Sequence, residues 1–393
     1  MTFRTVRYFI FLRDVLILSV TSFGGPQAHL AMFLDMMVKK RGYLSEQDLM
    51  ELYALCQVLP GPTSTQTITA IGFKIGGPGL AYLTLFTWLF PAVSIMITMG
   101  IFMTYFQSMN ISLDFLKFIQ PIAVGIVAYS SYRISSSVVS TRTGFFLMFI
   151  SAFVAYIFRS PWTFPIILLF GGFVTAFKFK QQPIEEKDKI KINWSNFILW
   201  ISVLVFAAIL GGITKYLPIR LFENFYRNGS LIFGGGQVLV PLLYTEFVEF
   251  KRYLTSEEFL SGYGFVQALP GPVFSFSAYV GTLSMRDASI GQQILGGLMA
   301  TAGIFLPGTF FIFFVSRFWE ELKKYRVVKA SLEGINAVSS GLVIAATFLL
   351  LEPISQTKLN YAIIISTICL MFFTKIPTPF IVIIGLITGI IFS

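Results

Sequence analysis

A Pro-Gly-Pro turn beside hydroxyl and amide side chains occurs twice in this sequence. The first copy is Gln57-Val58-Leu59-Pro60-Gly61-Pro62, which is followed by Thr63, Ser64, Thr65 and Gln66. The second copy is Gln267-Ala268-Leu269-Pro270-Gly271-Pro272, which is followed by Ser275 and Ser277. A helix that begins directly after such a turn has unpaired N–H groups and about half a positive charge at its start. Helix ends of this kind, with side-chain donors beside them, suit an anion.

A second break precedes each turn. It reads Phe23-Gly24-Gly25-Pro26-Gln27 in the first case and Phe233-Gly234-Gly235-Gly236-Gln237 in the second. Glycines here let the backbone approach a ligand without a Cβ in the way. We therefore predict one substrate site shared by the paired breaks, with these candidate residues: Gly24, Gly25, Gln27, Gln57, Gly61, Thr63, Ser64, Thr65, Gly234, Gly235, Gln237, Gln267, Gly271, Ser275 and Ser277.

Each of these features also has a purely structural interpretation. The Pro-Gly-Pro turns could be hairpin loops at the membrane surface, and the two glutamines could cap broken helices as readily as bind substrate. His29, the only histidine, is more often a packed side chain than a proton carrier. His29, Lys74 and Asn336 are candidates for coupling or gating. Charged residues within or beside apolar segments are functional suspects or interfacial pairs: Asp14, Asp35, Lys74, Glu246 and Arg286.

The composition predicts an all-helical polytopic membrane protein. Hydrophobic residues make up 55% of the 393 residues and charged residues only 12%, against about 25% charged in a soluble domain. Several apolar runs approach or exceed the roughly 20 residues that cross a bilayer. The net charge of +10 comes from basic clusters at the ends of these runs, which membrane topology explains better than nucleic-acid binding does.

The elements around the turns are too short for ordinary spans. The spacing predicts helices over about 46–59, with Ser45 as N-cap, and over 63–75, each about 21 Å long. Two such helices fit a re-entrant hairpin or a broken helix, which requires protein or a water-filled cavity around the break. Further helices are predicted over 9–22, 27–38, 80–106 with a kink at Pro91, 118–139, 144–158, 162–177, 194–212 and 273–285.

The sequence is internally duplicated. Both break motifs return at one constant offset, so that Gly24 corresponds to Gly234 and Gln57 to Gln267. After Arg286 the offset becomes slightly larger, so that Pro91 corresponds to Pro307. We divide the chain into a first repeat (1–177), a polar linker (178–193), an unpaired linking helix (194–212) and a second repeat (213–393). With four full spans in each half, the unpaired helix turns the second half over. The distribution of basic residues favours this inverted repeat over a parallel one.

These motifs resemble the chromate ion transporter family in its long, two-domain form. Ser22-Phe23-Gly24-Gly25-Pro26-Gln27-Ala28-His29 and Leu55-Cys56-Gln57-Val58-Leu59-Pro60-Gly61-Pro62 are similar to its signatures, as are the corresponding stretches of the second half and Gly334-Ile335-Asn336-Ala337-Val338. Gln237 stands where histidine is common in the family. The resemblance implies chromate export across the cytoplasmic membrane, with sulfate as a chemically similar competitor.

The residues leave several functions to weigh. A secondary transporter or antiporter working by alternating access is favoured, because no Gly-x-x-x-x-Gly-Lys-Ser/Thr phosphate loop is present. The alternatives are an oxyanion channel, uptake of sulfate or another anion, or a membrane enzyme acting on lipid-linked phosphates. Since the sequence has one histidine and two separated cysteines, Cys56 and Cys369, we expect neither a metal site nor a cofactor. The partners expected are the oxyanion and the bilayer, with a homodimer as one conceivable assembly and no nucleic acid.

Overall fold

The computed structural model describes residues 3–181, 192–233 and 236–392, and within these ranges the protein is helical without strands. The first half contains seven α-helices: α1 Phe3–Thr21, α2 Gly25–Phe33, α3 Glu46–Val58, α4 Thr63–Ser108, α5 Ile119–Val138, α6 Arg142–Ile157 and α7 Thr163–Ala176. Helix α8, Ser195–Thr214, connects it to the second half. That half contains α9 Leu217–Leu231, α10 Gly236–Tyr244, α11 Ser256–Ala268, α12 Phe276–Leu283, α13 Ile290–Val315, α14 Trp319–Leu322, α15 Arg326–Leu351, α16 Lys358–Phe373 and α17 Thr378–Ile391.

Five helical segments of the described residues are long and apolar enough to cross a membrane, judged by length and composition. They are Thr63–Ser108, Thr163–Lys180, Ser195–Thr214, Ile290–Val315 and Arg326–Leu351. Only 11% of the apolar window in α8 is buried by protein. Its large side chains, such as Phe206 and Ile213, are therefore free to face lipid. These segments confirm the prediction of a helical membrane protein.

The duplication is visible in local structure. Helices α2 and α10 each run into a π-helical turn, Leu34–Lys40 and Thr245–Phe250, and the last residues of the two turns correspond in the sequence repeat. A π turn is rare and distorts the helix, so its occurrence at corresponding positions is a strong sign of a repeat. The sequence had predicted a plain helix through Val38; the structure places the wider turn over its second part.

The two short helices before the Pro-Gly-Pro turns begin in the same way. Ser45 Oγ accepts from the N–H of Asp48, and the Asp48 carboxylate accepts from the N–H of Ser45. In the second half Thr255 and Glu258 make the same reciprocal pair. Each pair satisfies two backbone donors at a helix start. This confirms the predicted N-cap at Ser45.

The chain forms two compact units, and each unit contains segments of both halves. The first unit comprises Met1–Tyr105, Asn193–Leu231 and Leu269–Ser316, and the second comprises Phe106–Ile192, Ile232–Ala268 and Arg317–Ser393. The predicted repeat boundaries describe the duplication along the sequence, whereas the compact units cut across it. Both Pro-Gly-Pro turns belong to the first unit.

Small residues bring the helices close in both units. In the first unit, α9 and α13 approach at Gly229 and Gly303, where an added Cβ would lie 2.5 Å from Ile304 O and 2.6 Å from Phe222 O respectively. This is the packing that membrane helices achieve with small residues at their crossing. The contact holds α13 against α9.

The second unit shows the exchange between halves most directly. Gly125 of α5 lies against Thr367 of α16, and Gly341 of α15 lies against Ser151 of α6. The two crossings are equivalent in the sequence repeat, because Gly341 corresponds to Gly125 and Thr367 corresponds to Ser151. The central helix of each half therefore packs on an outer helix of the other half.

Candidate functional site

The first break of the site lies between α1 and α2. Gly24 and Gly25 have φ angles of 94° and 79°, which other residues rarely adopt. Pro26 occupies the first turn of α2, and no side chain caps its N-terminus. The predicted helix stop is thus confirmed.

His29 lies on α2, one turn after this break. It is 1% exposed, its ring meets Trp88 edge-on at 5.5 Å, and neither ring nitrogen has a hydrogen-bond partner among the described residues. The indole Nε1 of Trp88 in turn donates to Thr65 Oγ1 at 3.2 Å. Trp88 therefore links the histidine of the first break to the helix that starts after the Pro-Gly-Pro turn.

The first Pro-Gly-Pro turn is deeply buried. Gly61 has a φ of 121°, and Thr63, Ser64 and Thr65, the first residues of α4, are buried with it. Helix α4 is interrupted at Gly77 (φ 75°), so the segment after the turn is a short helix, as predicted. A polar, buried helix start inside a membrane protein is the environment in which an anion would be held.

The second Pro-Gly-Pro turn meets the first break directly. Gly271 has a φ of 101°, and its N–H donates to Ser22 O at 2.8 Å. Ser275 follows in the turn Val273–Ser275, is completely buried, and its hydroxyl lacks a partner in the described structure. Ser22, whose hydroxyl is likewise buried and unpartnered, supplies the acceptor carbonyl. Breaks from the two halves are thus joined within one compact unit.

Each turn also packs on a proline-containing helix of the opposite half, and the helical φ/ψ angles continue through Pro91, where a kink was predicted. The position of a Cβ on Gly61 lies 3.5 Å from Gly308 Cα, and that of a Cβ on Gly271 lies 3.3 Å from Ala92 Cβ. Gly308 and Ala92 correspond in the sequence repeat, and each directly follows the proline inside its helix. The two turns therefore have pseudo-symmetric surroundings.

The remaining candidates are distributed less favourably for a single site. Gln27 and Gln57 are exposed in the first unit, with Gln57 beside the phenol of Tyr53 one helical turn earlier. Ser277 donates its hydroxyl proton to Phe274 O at 2.8 Å. Lys74 forms an exposed ion pair of 2.5 Å with Asp48.

Other candidates fall in the second unit or outside the described structure. Gln267 lies on α11 beside Tyr263, which repeats the pair of tyrosine and glutamine seen on α3. Asn336 is half-buried on α15. Gly234, Gly235 and the side chain of Gln237 lie outside the described residues.

The suspected intramembrane charges have protein partners. The buried carboxylates of Asp14 and Glu246 pair with Arg41 and Lys251, and Asp35 pairs with Lys40. No group of three or more histidine, cysteine or carboxylate side chains suited to a metal occurs in the described part of the chain. With these carboxylates engaged elsewhere, the buried groups at the breaks are mainly hydrogen-bond donors.

The sequence alone did not single out Ser22, Trp88 or Gly308 as parts of the site. Ser22 precedes the glycine break and could have been chosen as a polar residue at a helix end. Trp88 and Gly308 lie on long apolar helices, where only the fold shows that they face the turns. Gln66, noted as a donor beside the first turn, is buried and meets Gly308.

Comparison with known sequences agrees with this architecture. The sequence model of one protein family, described as chromate transporter, matches residues 9–176 and again residues 219–390. The chain belongs to the chromate transporter family. Because the family pattern matches once in each half, it confirms both the resemblance and the division into two homologous halves. The protein is accordingly an integral membrane protein.

Individual relatives span nearly all of the chain. A probable chromate transport protein of Synechococcus elongatus is 25% identical over 382 residues, covering 95% of this chain and 93% of the relative. A chromate transport protein of Cupriavidus metallidurans is 22% identical, covering 93% and 88%. An uncharacterized transporter of Bacillus subtilis is 26% identical over 161 residues, which are 40% of this chain and 86% of the relative. No solved structure matches the chain significantly.

Proposed function

We propose that this protein is a secondary transporter of tetrahedral oxyanions that exports chromate and accepts sulfate as an analogue. The observation that carries the proposal is the hydrogen bond from Gly271 N–H to Ser22 O, beside two buried hydroxyls without partners, Ser22 Oγ and Ser275 Oγ. The hydrogen bond joins two helix breaks from opposite halves, and the two hydroxyls at these breaks are left as donors for an anion. Full-length relatives named chromate transport proteins support the same substrate.

Neutral donors at broken helices suit an oxyanion better than a cation. Three N-terminal elements, α2, α4 and the Val273–Ser275 turn, begin at the breaks. Their N–H groups can replace water around a dianion without a permanent positive charge, so that the anion can also be released. This requirement for release favours a carrier over an enzyme, and we propose no catalytic residue, cofactor or metal.

Movement of the substrate is proposed to follow alternating access in an inverted repeat, driven by an ion or exchange gradient. His29 is the candidate for proton coupling, because it is buried and both of its ring nitrogens lack partners in the described structure. Ionisation of an imidazole at this position would add a charge beside the anion. Export from the cytoplasm, a cytoplasmic-membrane location and a homodimer remain predictions.

The test is flux of labelled chromate and sulfate into proteoliposomes that contain the purified protein. We expect saturable flux, and we expect Ser22→Ala combined with Ser275→Ala to reduce it at least about tenfold because two donors to the anion are lost. Ser277→Ala is the matched control, since its hydroxyl is engaged with Phe274 O. Absence of flux of either anion in folded protein would refute the proposal.

Two further arms separate the mechanism from its rivals. Counterflow of labelled substrate against unlabelled substrate occurs with a carrier and not with a channel. Imposing a pH gradient on the native protein and on His29→Gln tests proton coupling. Stimulation that disappears in the variant supports His29, whereas equal stimulation in both excludes it.

A further inference from the structure

The amide of Gln66 is held in one orientation at the first Pro-Gly-Pro turn. Its Nε2 donates to Pro60 O at 2.8 Å and lies 3.5 Å from Gly308 O, so both neighbours of this nitrogen are carbonyl oxygens. These two acceptors identify which end of the amide is the nitrogen. The Oε1 must therefore point away from both carbonyls.

Two glycines make the slot that receives this amide. A Cβ on Gly61 would lie 3.0 Å from Gln66 Nε2, and a Cβ on Gly308 would lie 2.8 Å from it. Either added methyl group would displace the amide. Gln66 is thus seated by the backbones of two segments, one from each half of the sequence.

The oxygen of the same amide has no donor. Gln66 is 2% exposed, and its Oε1 is buried without a hydrogen-bond partner in the described structure. A buried acceptor in that state is costly unless something binds to it. Thr63, Ser64 and Thr65 precede Gln66 in the first turn of α4, where backbone N–H groups have no partner within the helix. The helix start therefore combines several donors with one fixed acceptor.

We propose that Gln66 makes the site selective for a tetrahedral oxyanion that carries a proton, by accepting a hydrogen bond from its O–H group at Oε1. This inference rests on the proposed oxyanion transport. The helix N–H groups bind the unprotonated oxygens of the anion, while Gln66 Oε1 meets the remaining one. An unprotonated oxygen at that place would face the lone pairs of the amide oxygen.

The selectivity has a direct chemical consequence. Hydrogen chromate loses its proton near neutral pH, so a substantial part of chromate carries an O–H group under ordinary conditions. Hydrogen sulfate keeps its proton only in strong acid, so sulfate presents no O–H group at ordinary pH. Donors alone separate the chromate and sulfate dianions poorly, because these are alike in shape and charge, whereas a fixed acceptor favours the form of chromate that carries an O–H group.

Titratable groups of the protein near Gln66 are few. The packed helix α13 has none between Ile290 and Val315. The preceding helix α3 contributes Tyr53 and Cys56, α2 contributes His29, and Lys74 on α4 is paired with Asp48. Because His29 could impose a pH dependence of its own, the decisive comparison is made at constant pH.

The experiment compares two inhibitors of labelled chromate flux in proteoliposomes at one mildly alkaline pH. Inorganic phosphate is then mostly a dianion with one O–H group, and sulfate is a dianion of similar size with none. We expect phosphate to inhibit native flux about ten- to a hundredfold more strongly than sulfate, because sulfate leaves the Gln66 acceptor unpaired. Gln66→Met removes the acceptor and should bring the ratio close to one.

Gln293 provides a matched control. Its Nε2 also donates to two backbone carbonyls, of Arg286 and Ala288, and its Oε1 is also buried and unpartnered, but it lies in the first turn of α13 away from the Pro-Gly-Pro turns. Gln293→Met should retain the native ratio. If Gln66→Met does not fold, Gly308→Ala displaces the same amide and should lower the ratio instead.

The outcomes separate this inference from the function it rests on. Absence of chromate flux by the native protein refutes oxyanion transport itself. Chromate flux that sulfate and phosphate inhibit equally leaves transport intact and overturns the role of Gln66. A native preference for phosphate that survives in Gln66→Met likewise overturns it, whereas loss in this variant alone supports it.

Discussion

The buried carboxylate of Asp14 receives two hydrogen bonds from the guanidinium of Arg41, Nε to Oδ2 at 2.8 Å and Nη2 to Oδ1 at 2.9 Å. Tyr43 Oη adds a third bond at 2.7 Å. The interaction joins α1 to the segment after the π turn and thereby fixes both ends of the first glycine break. We therefore expect Asp14 to serve the structure rather than transport.

This pair predicts an asymmetry between two variants. Arg41→Met leaves the buried carboxylate without its main partner, whereas Asp14→Asn leaves a guanidinium that still reaches solvent. We expect Arg41→Met to lower the thermal unfolding midpoint in detergent more than Asp14→Asn does. Folded Asp14→Asn should retain chromate flux in proteoliposomes. Loss of flux without loss of stability would assign Asp14 to the transport site.

The residues that follow the two π turns predict how a left-handed backbone conformation affects stability. Gly42 has a φ of 59°, and Arg252, its counterpart in the second half, has a φ of 55° in the same left-handed region. No atom lies within 4 Å of a Cβ built on Gly42, so Gly42→Ala tests backbone strain alone. We expect it to destabilise the protein by about 1 kcal/mol, and Arg252→Gly to stabilise it by a similar or smaller amount. Chemical unfolding in detergent measures both, and equal stability of each variant with the native protein would contradict the strain argument.

Gly61 in the first turn and Gly308 beside it allow effects on stability and on transport to be measured separately. Gly61→Ala places a side chain at a φ of 121° and should cost about 1–3 kcal/mol. Gly308→Ala displaces the amide end of Gln66, whose hydrogen bond to Pro60 O is then lost, and should cost about 1 kcal/mol. It should nevertheless lower chromate flux several-fold, because the amide is displaced from the turn. Ala92→Gly, at the corresponding position of the first half, is the control with native flux.

Two carboxylates that share one guanidinium predict how the stability of the protein depends on acidic pH. Arg159 contacts Glu352 at 2.6 Å and Glu249 at 3.1 Å. The hydrogen bond with Arg159 holds the pKa of Glu352 below its ordinary value of 4.5, while burial raises the pKa of Glu249 above it. The stabilisation from Glu352 is present above pH 4.5 and is lost as the pH falls through the pKa of Glu352 in the folded protein. The stabilisation from Glu249 is present below pH 4.5 and is lost as the pH rises through the pKa of Glu249 in the folded protein.

The two carboxylates therefore partly cancel in the native protein. Glu249→Gln leaves the contribution of Glu352 alone, and its unfolding midpoint should fall more steeply on acidification than the native midpoint. Glu352→Gln should show the reverse: on acidification its unfolding midpoint should rise, or fall less than the native midpoint does. Thermal unfolding across an acidic pH series measures both slopes, and identical slopes in the two variants would exclude this assignment.

Much of the local structure follows from short-range sequence signals. The capping residues Ser45 and Asp48 predict the start of α3, and proline and glycine predict the breaks before Gly25 and Thr63. These signals work because the backbone restrictions of proline and the freedom of glycine act within a few residues. The constant offset between the repeated motifs also predicts which positions of the two halves correspond.

Other features depend on partners far along the chain and could not be predicted. The π turn after α2 replaces a predicted α-helix without a local breaker. Gln66 contacts Gly308, in the other half of the sequence, because each compact unit contains helices of both halves. The contact between Ser22 and Gly271 depends on the same mixing of segments from the two halves. Periodicity identifies which residues are buried, but not which distant backbone they face.

The exchange of segments has a consequence for a half expressed alone. Neither half of the sequence contains all the segments of either compact unit. A chain ending near residue 181 would expose the helix faces that α13, α15 and α16 cover in the intact protein. To bury them it would need a complementary chain, either the missing half or another copy of itself standing in for it. Cutting the connection between the halves should therefore yield two fragments, neither of which is soluble in detergent as a monomer.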